Sequence, residues 1–279
     1  MVSPSECEFH AHIDWERPWL APLCATAAWF AAADAGANWR TEVNRTAHEK
    51  SIRNYRGLPI RLVDQSELPA LQAYESYIGA TGCVPTRNNL HDFFNALSWL
   101  AWPHIKNRLN ALQAVEIERQ ESLTRASNSI RAHQRGGLRD ALTLFDENAA
   151  IVVSSDPTLF ALLRGHQWPA LFIDQRSAFG TRCEVFLFGH ALLEKLVTPY
   201  KAITAHAWLV TAPKDFFARS TVEKVDVLDR LIAARLRADF RPSDLTPLPV
   251  LGVPGWAAAQ TPAFYRDPAV FRPRRAAPR

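Results

Sequence analysis

The chain has four cysteines, Cys7, Cys24, Cys83 and Cys183, and no two of them form a C-x-x-C pair. Their wide spacing gives neither a disulfide framework nor a zinc ligand set. They read as reduced, mostly buried small hydrophobes. Several catalytic signatures are also missing. There is no G-x-S-x-G elbow, no P-loop, no dinucleotide-binding glycine run and no H-E-x-x-H pair. The common serine-hydrolase and nucleotide-binding readings lose weight accordingly. No apolar run reaches the roughly 20 residues of a membrane span. The stretch Trp19 to Ala33 is apolar, but Pro22 interrupts it and Pro18 precedes it. Upstream, Glu6, Glu8, Asp14 and Glu16 stand against a single Arg17, which is the wrong charge for a signal peptide. The expected location is the cytoplasm, with no membrane span.

A large excess of charge of one sign is absent as well. The formal net charge is +4, but Arg272, Arg274, Arg275 and Arg279 lie in the last eight residues, so the body is close to neutral. A basic tail of this kind reads as a solvated end. Nucleic acid is the least favoured partner, because no element interleaves aromatic and basic residues. What is present is 48% hydrophobic and 22% charged residues, ordinary for a globular protein. Nineteen prolines imply many turns and helix stops. Nine tryptophans imply a core or cleft of large rings whose N–H groups need partners.

Along the chain, residues 1–60 read as mostly helical, with an alanine-rich helix at 25–35. "GLPIRLVDQSEL" reads as a short strand and "TGCVP" as a loop. Asn88 or Asn89 caps a helix that Pro103 interrupts after Trp102, and a second helix runs from about His104 to Gln120. "ALTLFDENAAIVVSSD" reads as a β-hairpin with Asp146, Glu147 and Asn148 in its turn. Asp156-Pro157 opens a helix, and "WPALFID" and "CEVFLFG" read as strands. A short helix runs from His190 to Val197, and 203–210 alternates as a strand. "STVEKVDVLDRLIAARLRADF" is a long amphipathic helix. Residues 245–279 read as an irregular, proline-rich wrap ending in the basic tail. The expectation is one globular domain over 1–279, α+β (mixed α/β), with a helical N-terminal half packed on a small mixed β-sheet with flanking helices.

Three polar constellations stand out. The helix after Pro85 has an apolar face of Phe93, Phe94, Leu97 and Leu100. The opposite stripe carries His91, Asn95, Ser98 and Trp102, flanked by Asp92 and Trp99. That stripe is either a polar seam between layers or the wall of a cleft. In "FGHALLEKLVTPYKAITAHAW", His190 opens a helix, where the macrodipole favours neutral imidazole. Glu194 lies one turn on and can orient that ring or share a cation with it. His206 shares a strand face with Thr204 and Trp208. Each histidine is also open to reading as a packed core residue. Asp146 and Glu147 read first as turn formers, and second as oxygen ligands. Lys201 reads as an anion contact or a surface charge.

The segments "IDWERPWLAPL", "NLHDFFNALSWLAWPHIKNRLNALQ", "LTLFDENAAIVVSSD", "FGHALLEKL", "ITAHAW", "LPVLGVPGW" and "FYRDPAVFRP" follow one another in order. Together they resemble the bacterial domain of unknown function family numbered 3025, over nearly the whole chain. The resemblance implies a single-domain bacterial protein and offers no activity to carry over.

The functional expectation is a His/carboxylate/Trp-lined cleft. It would serve a metal-assisted or acid–base hydrolase acting on an anionic, phosphoester-like substrate. His91, His190, His206 and Glu194 are the catalytic candidates. Trp99, Trp102, Trp208 and Asn95 would hold a ligand. His91, His190, His206, Asp146 and Glu147 would bind a divalent metal ion that activates water. The alternative is a non-catalytic protein that binds a small molecule or peptide in the same cleft. Oligomeric state stays open.

Overall fold

The computed structural model describes residues 10, 12–27, 39–127 and 136–274. Most of the alanine-rich helix expected at 25–35 lies outside the described residues, as do Cys7, Arg275 and Arg279. The architecture is mixed α+β.

Helices α1 (Ala21–Cys24), α2 (Trp39–Glu49) and α3 (Tyr74–Thr81) belong to the N-terminal part. Between them strand β1 (Arg61–Asp64) pairs in parallel with β2 (Cys83–Thr86). The sequence led us to expect a loop at "TGCVP". It becomes a strand because β1 supplies a long-range ladder and all four β2 residues are buried. Gly82 sits just before it with φ +72, as the left-handed cap of α3. A Cβ there would fall 2.3 Å from the Pro59 carbonyl oxygen.

Helix α4 (Leu90–Ala101) starts at Asn89, whose side chain accepts from the Asp92 N–H at 2.8 Å. Trp102 breaks its helical geometry, and α5 (Pro103–Ser127) resumes with proline at its first position. Pro103 has no N–H to lose, and the next two donors are satisfied from a distant helix. The Asp229 carboxylate, on α9 (Thr221–Arg235), accepts from the His104 N–H at 3.0 Å and the Ile105 N–H at 2.8 Å. It also takes His104 Nδ1 at 2.8 Å. A carboxylate buried to this depth persists because it is bonded three times over.

"ALTLFDENAAIVVSSD" is a helix followed by a strand, not a hairpin. Helix α6 (Gly137–Asn148) buries Ala141, Leu142, Phe145 and Asp146 on one face, and β3 (Ala149–Ser154) begins at the next residue. Asp146 and Glu147 therefore stand on the last helical turn. β3 is central in a four-stranded mixed sheet of order β4-β3-β5-β6. It runs antiparallel to β4 (Cys183–Leu187) and parallel to β5 (Thr204–Thr211). β6 (Thr246–Pro249) pairs antiparallel with β5, so the C-terminal wrap contributes an edge strand. Helix α7 (Pro157–Arg164) carries the expected Asp156 cap, with its carboxylate accepting from the Thr158 N–H. "WPALFID" is a helical turn at Ala170–Asp174 rather than a strand, its Leu171 and Phe172 buried. Lys201 is not a free surface charge. It pairs with Asp267 at 2.7 Å and sits 4.5 Å from the Phe264 ring, fastening the C-terminal wrap.

One sheet face, with Ala150, Val152, Ala205, Ala207 and Leu248, packs into a core shared with α2, α4 and α7. The other, with Ala149, Ile151, Val153, Phe186 and Val210, packs against α5, α6 and α9. Helix α8 (His190–Lys195) is set by a close backbone approach. The Phe188 and Gly189 N–H groups both donate to the Ala149 carbonyl, at 3.1 and 3.0 Å. A Cβ at position 189 would lie 2.5 Å from three backbone atoms of Glu147, Asn148 and Ala149. Glycine there lets α8 start against the α6–β3 junction. Among the described residues no helix is long and apolar enough to cross a membrane.

Asp229→Ala strips the start of α5 of its acceptor and should lower stability by about 2 kcal/mol in urea denaturation. An unchanged midpoint would show that water satisfies those donors instead.

Candidate active site

Two helix starts meet across the molecule. His91 lies in the first turn of α4, held by the Asn89 cap. His190 lies at the start of α8, held by Gly189 against β3. Their Nε2 atoms are 3.1 Å apart and the rings cross at 80°. His91 Nδ1 bonds Glu194 Oε2 at 2.9 Å. The carboxylate can only accept, so His91 carries a proton on Nδ1. A second proton lies between the two Nε2 atoms, because two bare lone pairs at 3.1 Å would repel.

On the far side of His190, Nδ1 is buried without a hydrogen-bond partner. Asp146 Oδ2 stands 3.9 Å away, too far to bond. Burial pushes His190 down to about 4, and the positive Lys106 adds to this. Its neutral form at pH 7 agrees with the sequence expectation, but the main cause is burial rather than the helix dipole.

Asp146 is held by Lys106. The ammonium donates to Asp146 Oδ1 at 2.6 Å, to Oδ2 at 2.9 Å and to Asn95 Oδ1 at 2.8 Å. Burial alone would raise the Asp146 carboxyl. Lys106 and His190 outweigh it and hold the group below the usual carboxylate range. Asn95 passes the network on, donating to the Tyr74 hydroxyl at 3.2 Å. Asn95 is four residues after His91, so one face of α4 presents both. Asp92 faces the other way chemically. It accepts from Arg87 N–H, Nε and Nη2 at 2.6, 3.0 and 3.1 Å.

The two histidines border a cavity of about 330 Å³. His91, His190, Asn95, Asp92, Asp146 and Glu147 contribute to its wall, together with Tyr74, Glu75, Arg87, Gln113 and Thr143.

A family model described as a protein of unknown function, DUF3025, matches residues 60–275. The chain belongs to the DUF3025 family. No curated protein and no solved structure matches it. Every residue lining the cavity falls inside the span matched to DUF3025.

Within that DUF3025 span, the candidates read from the sequence divide. The structure brings together His91, His190, Glu194, Asn95, Asp146 and Glu147 at or beside the cavity. Glu194 orients His91 across the helix pair rather than His190 along its own helix. His206 does not join them. It sits on β5 opposite Ala149 of β3 and Pro247 of β6, and it is absent from the cavity wall. Trp99 and Trp102 are buried core residues, not cleft walls. Trp102 packs edge-on against Phe188, and Trp99 lies 5.5 Å from the Lys106 ammonium. Trp208 stacks on Phe240 at 5.0 Å and borders a different surface depression, with Arg164 and Arg274. Among the described residues no three His, Cys, Asp or Glu side chains form a set that could hold a metal ion. The five-ligand expectation loses His206 to the sheet and Asp146 to Lys106.

Sequence reasoning missed Lys106, Tyr74, Glu75 and Arg87. Lys106 had one signal: it follows Trp102 by one turn on a helix whose neighbouring face is apolar, an unusual place for a solvated lysine. Tyr74 and Glu75 had none.

Removing the ammonium with Lys106→Met leaves the Asp146 carboxylate buried without a cation. Stability should fall by about 3 kcal/mol in chemical denaturation. A loss under 1 kcal/mol would show that Asp146 reaches water instead. The pH dependence has a definite sign. Below its ordinary value of 6.5 the unfolded chain protonates His190, whereas the folded chain refuses that proton down to about 4. Stability contributed by neutral His190 is thus lost as pH drops through this window, about 3 kcal/mol in full. Denaturation at pH 7 and 4.5 should show the drop, and His190→Gln should remove that share of it. An identical drop in the variant would place the effect elsewhere.

Proposed function

We propose that this cavity is the active site of an acid–base hydrolase in which His91 activates water. The observation that carries this reading is His91 itself, fixed by Glu194 on Nδ1 and presenting Nε2 toward His190 and the cavity. A carboxylate-oriented imidazole is the working half of many hydrolytic sites. A water that enters and takes the place of the Nε2–Nε2 contact gives its proton to His91 Nε2. Glu194 then stabilises the imidazolium it is already bonded to. His190, kept neutral by burial, offers Nε2–H to the oxygen on which negative charge develops.

The sequence suggested an anionic, phosphoester-like substrate. The charges on the cavity wall favour an uncharged one. Arg87 is committed to Asp92 and Lys106 to Asp146, which leaves Glu75 and Glu147 without a cation among their bonded partners. A dianionic phosphate would meet the Glu147 carboxylate there. The metal-assisted form would need ligands beyond the two imidazoles, so the reaction is written for proton transfer.

A panel of p-nitrophenyl acetate, p-nitrophenyl phosphate and an acyl p-nitroanilide tests this. Wild-type protein should hydrolyse the acetate in preference to the phosphate. His91→Ala should lose about 100-fold in kcat/KM on it. Equal rates for wild type and His91→Ala would overturn the reading. Binding of these compounds without turnover would favour the non-catalytic binding protein.

A further inference from the structure

The hydrolase reading leaves the Glu75 carboxyl group without a task. Glu75 reaches the same cavity from the first turn of α3. Its carboxyl group is fixed from behind by Asn110, a residue only 1% exposed. Asn110 Nδ2 donates to the Glu75 carbonyl at 2.9 Å and to Glu75 Oε2 at 2.6 Å. A backbone carbonyl can only accept, so the amide orientation is settled and Oε2 is an acceptor. Any proton on the carboxyl group therefore sits on Oε1, which has no bonded partner among the described residues.

The charged groups around it divide. Lys106 on α5 and Arg139 on α6 favour the carboxylate, and Asp146 on α6 opposes it. The neighbouring Tyr74 hydroxyl is itself pushed well above its ordinary value by burial. Lys106 spends its three hydrogen bonds on Asp146 and Asn95, and none on Glu75. Burial is the largest influence on Glu75, and it raises the group. Of the cavity's carboxyl groups, Asp146 is thus bonded to an ammonium and Glu75 to no cation, the kind of arrangement by which a site keeps a charged and a neutral carboxyl group side by side.

We propose that Glu75 is the acid of this site, delivering its Oε1 proton to the leaving group of carboxamides or alkyl esters. This inference rests on the hydrolase reading. Water loses a proton to His91 Nε2 while its oxygen bonds the acyl carbon. The carbon–heteroatom bond then breaks, and its electron pair takes the proton of Glu75. One proton passing from His91 to Glu75 through cavity water restores both groups, so the net change is one water consumed.

Two measurements on the full chain test it. With glutamate labelled at the side-chain carboxyl carbon, one NMR signal should stay in the protonated position at pH 6 and vanish in Glu75→Gln. Glu75 ionising in the ordinary glutamate range would overturn the inference while leaving the hydrolase reading intact. In kinetics, Glu75→Gln should lose about 100-fold on ethyl acetate, whose ethoxide needs a proton to depart. It should lose under threefold on p-nitrophenyl acetate, whose leaving group needs none. Equal losses on both esters would assign Glu75 a structural part and overturn the proposal. No turnover of either ester by the wild type would overturn the hydrolase reading and this inference with it.

Discussion

The Lys106 ammonium lies inside the protein with three acceptor contacts, two on Asp146 and one on Asn95, and the face of Trp99 beside it. Burying a lone ammonium or a lone carboxylate costs several kcal/mol, so neither tolerates the other's absence. The pair therefore fixes a distance between helices. Asn95 belongs to α4, Lys106 to α5 and Asp146 to α6, and all three must arrive together. His91 rides on α4 one turn before Asn95. Asp146 lies in the last turn of α6, three residues before Ala149, whose carbonyl receives the Phe188 and Gly189 N–H groups that start α8. Both imidazoles are thus indexed to one ion pair, and the 3.1 Å between their Nε2 atoms follows from that framework.

Where local chemistry decides an element, the sequence was readable. Asn89 caps α4, Pro103 divides α4 from α5, and Asp156-Pro157 opens α7, each through side-chain or ring geometry that acts within a few residues. The misread segments are those where distant partners decide. "ALTLFDENAAIVVSSD" has apolar residues at Leu142 and Phe145 that fit helical spacing, and a β-branched run after them. Its carboxylate-rich middle looked like a turn. In the fold that middle is the last turn of a helix, because Asp146 is drawn to Lys106, 40 residues away. "TGCVP" contains a proline and a glycine, ordinary loop residues, and is a strand because β1 lies alongside. "WPALFID" is apolar enough for a strand, yet no sheet edge receives it and it coils.

The site was legible to a similar depth. Periodicity grouped His91 with Asn95 and placed His190 at a helix start, and those statements concern one element each. It could not tell how deep a face lies. Trp99 and Trp102 share the polar side of α4 with His91, yet they are core residues, because α5 folds back across that side after Pro103. His206 and Trp208 share a strand face, as alternation requires. That face looks toward the α5–α6–α9 core, and neither residue lines the cavity. Glu194 was assigned to His190 by helical spacing, whereas its partner comes from another helix. Glu75 went unnoticed because a single glutamate in a helix carries no pattern, and Lys106 because its one signal, an apolar neighbourhood, names no partner. Their meaning comes from burial alone.

Burial also explains why the cavity's two central carboxyl groups differ. Asp146 is buried and Glu75 half-buried, and desolvation pushes both toward the neutral form. Only Asp146 receives the ammonium. Had Lys106 bonded Glu75 instead, Asp146 would be the group left to protonate, 3.9 Å from His190 Nδ1. Which of the two stays charged thus depends on which carboxylate the buried lysine selects. That selection is made by Asn95, which holds the ammonium's third hydrogen bond from α4, and by Asn110, which occupies Glu75 from behind.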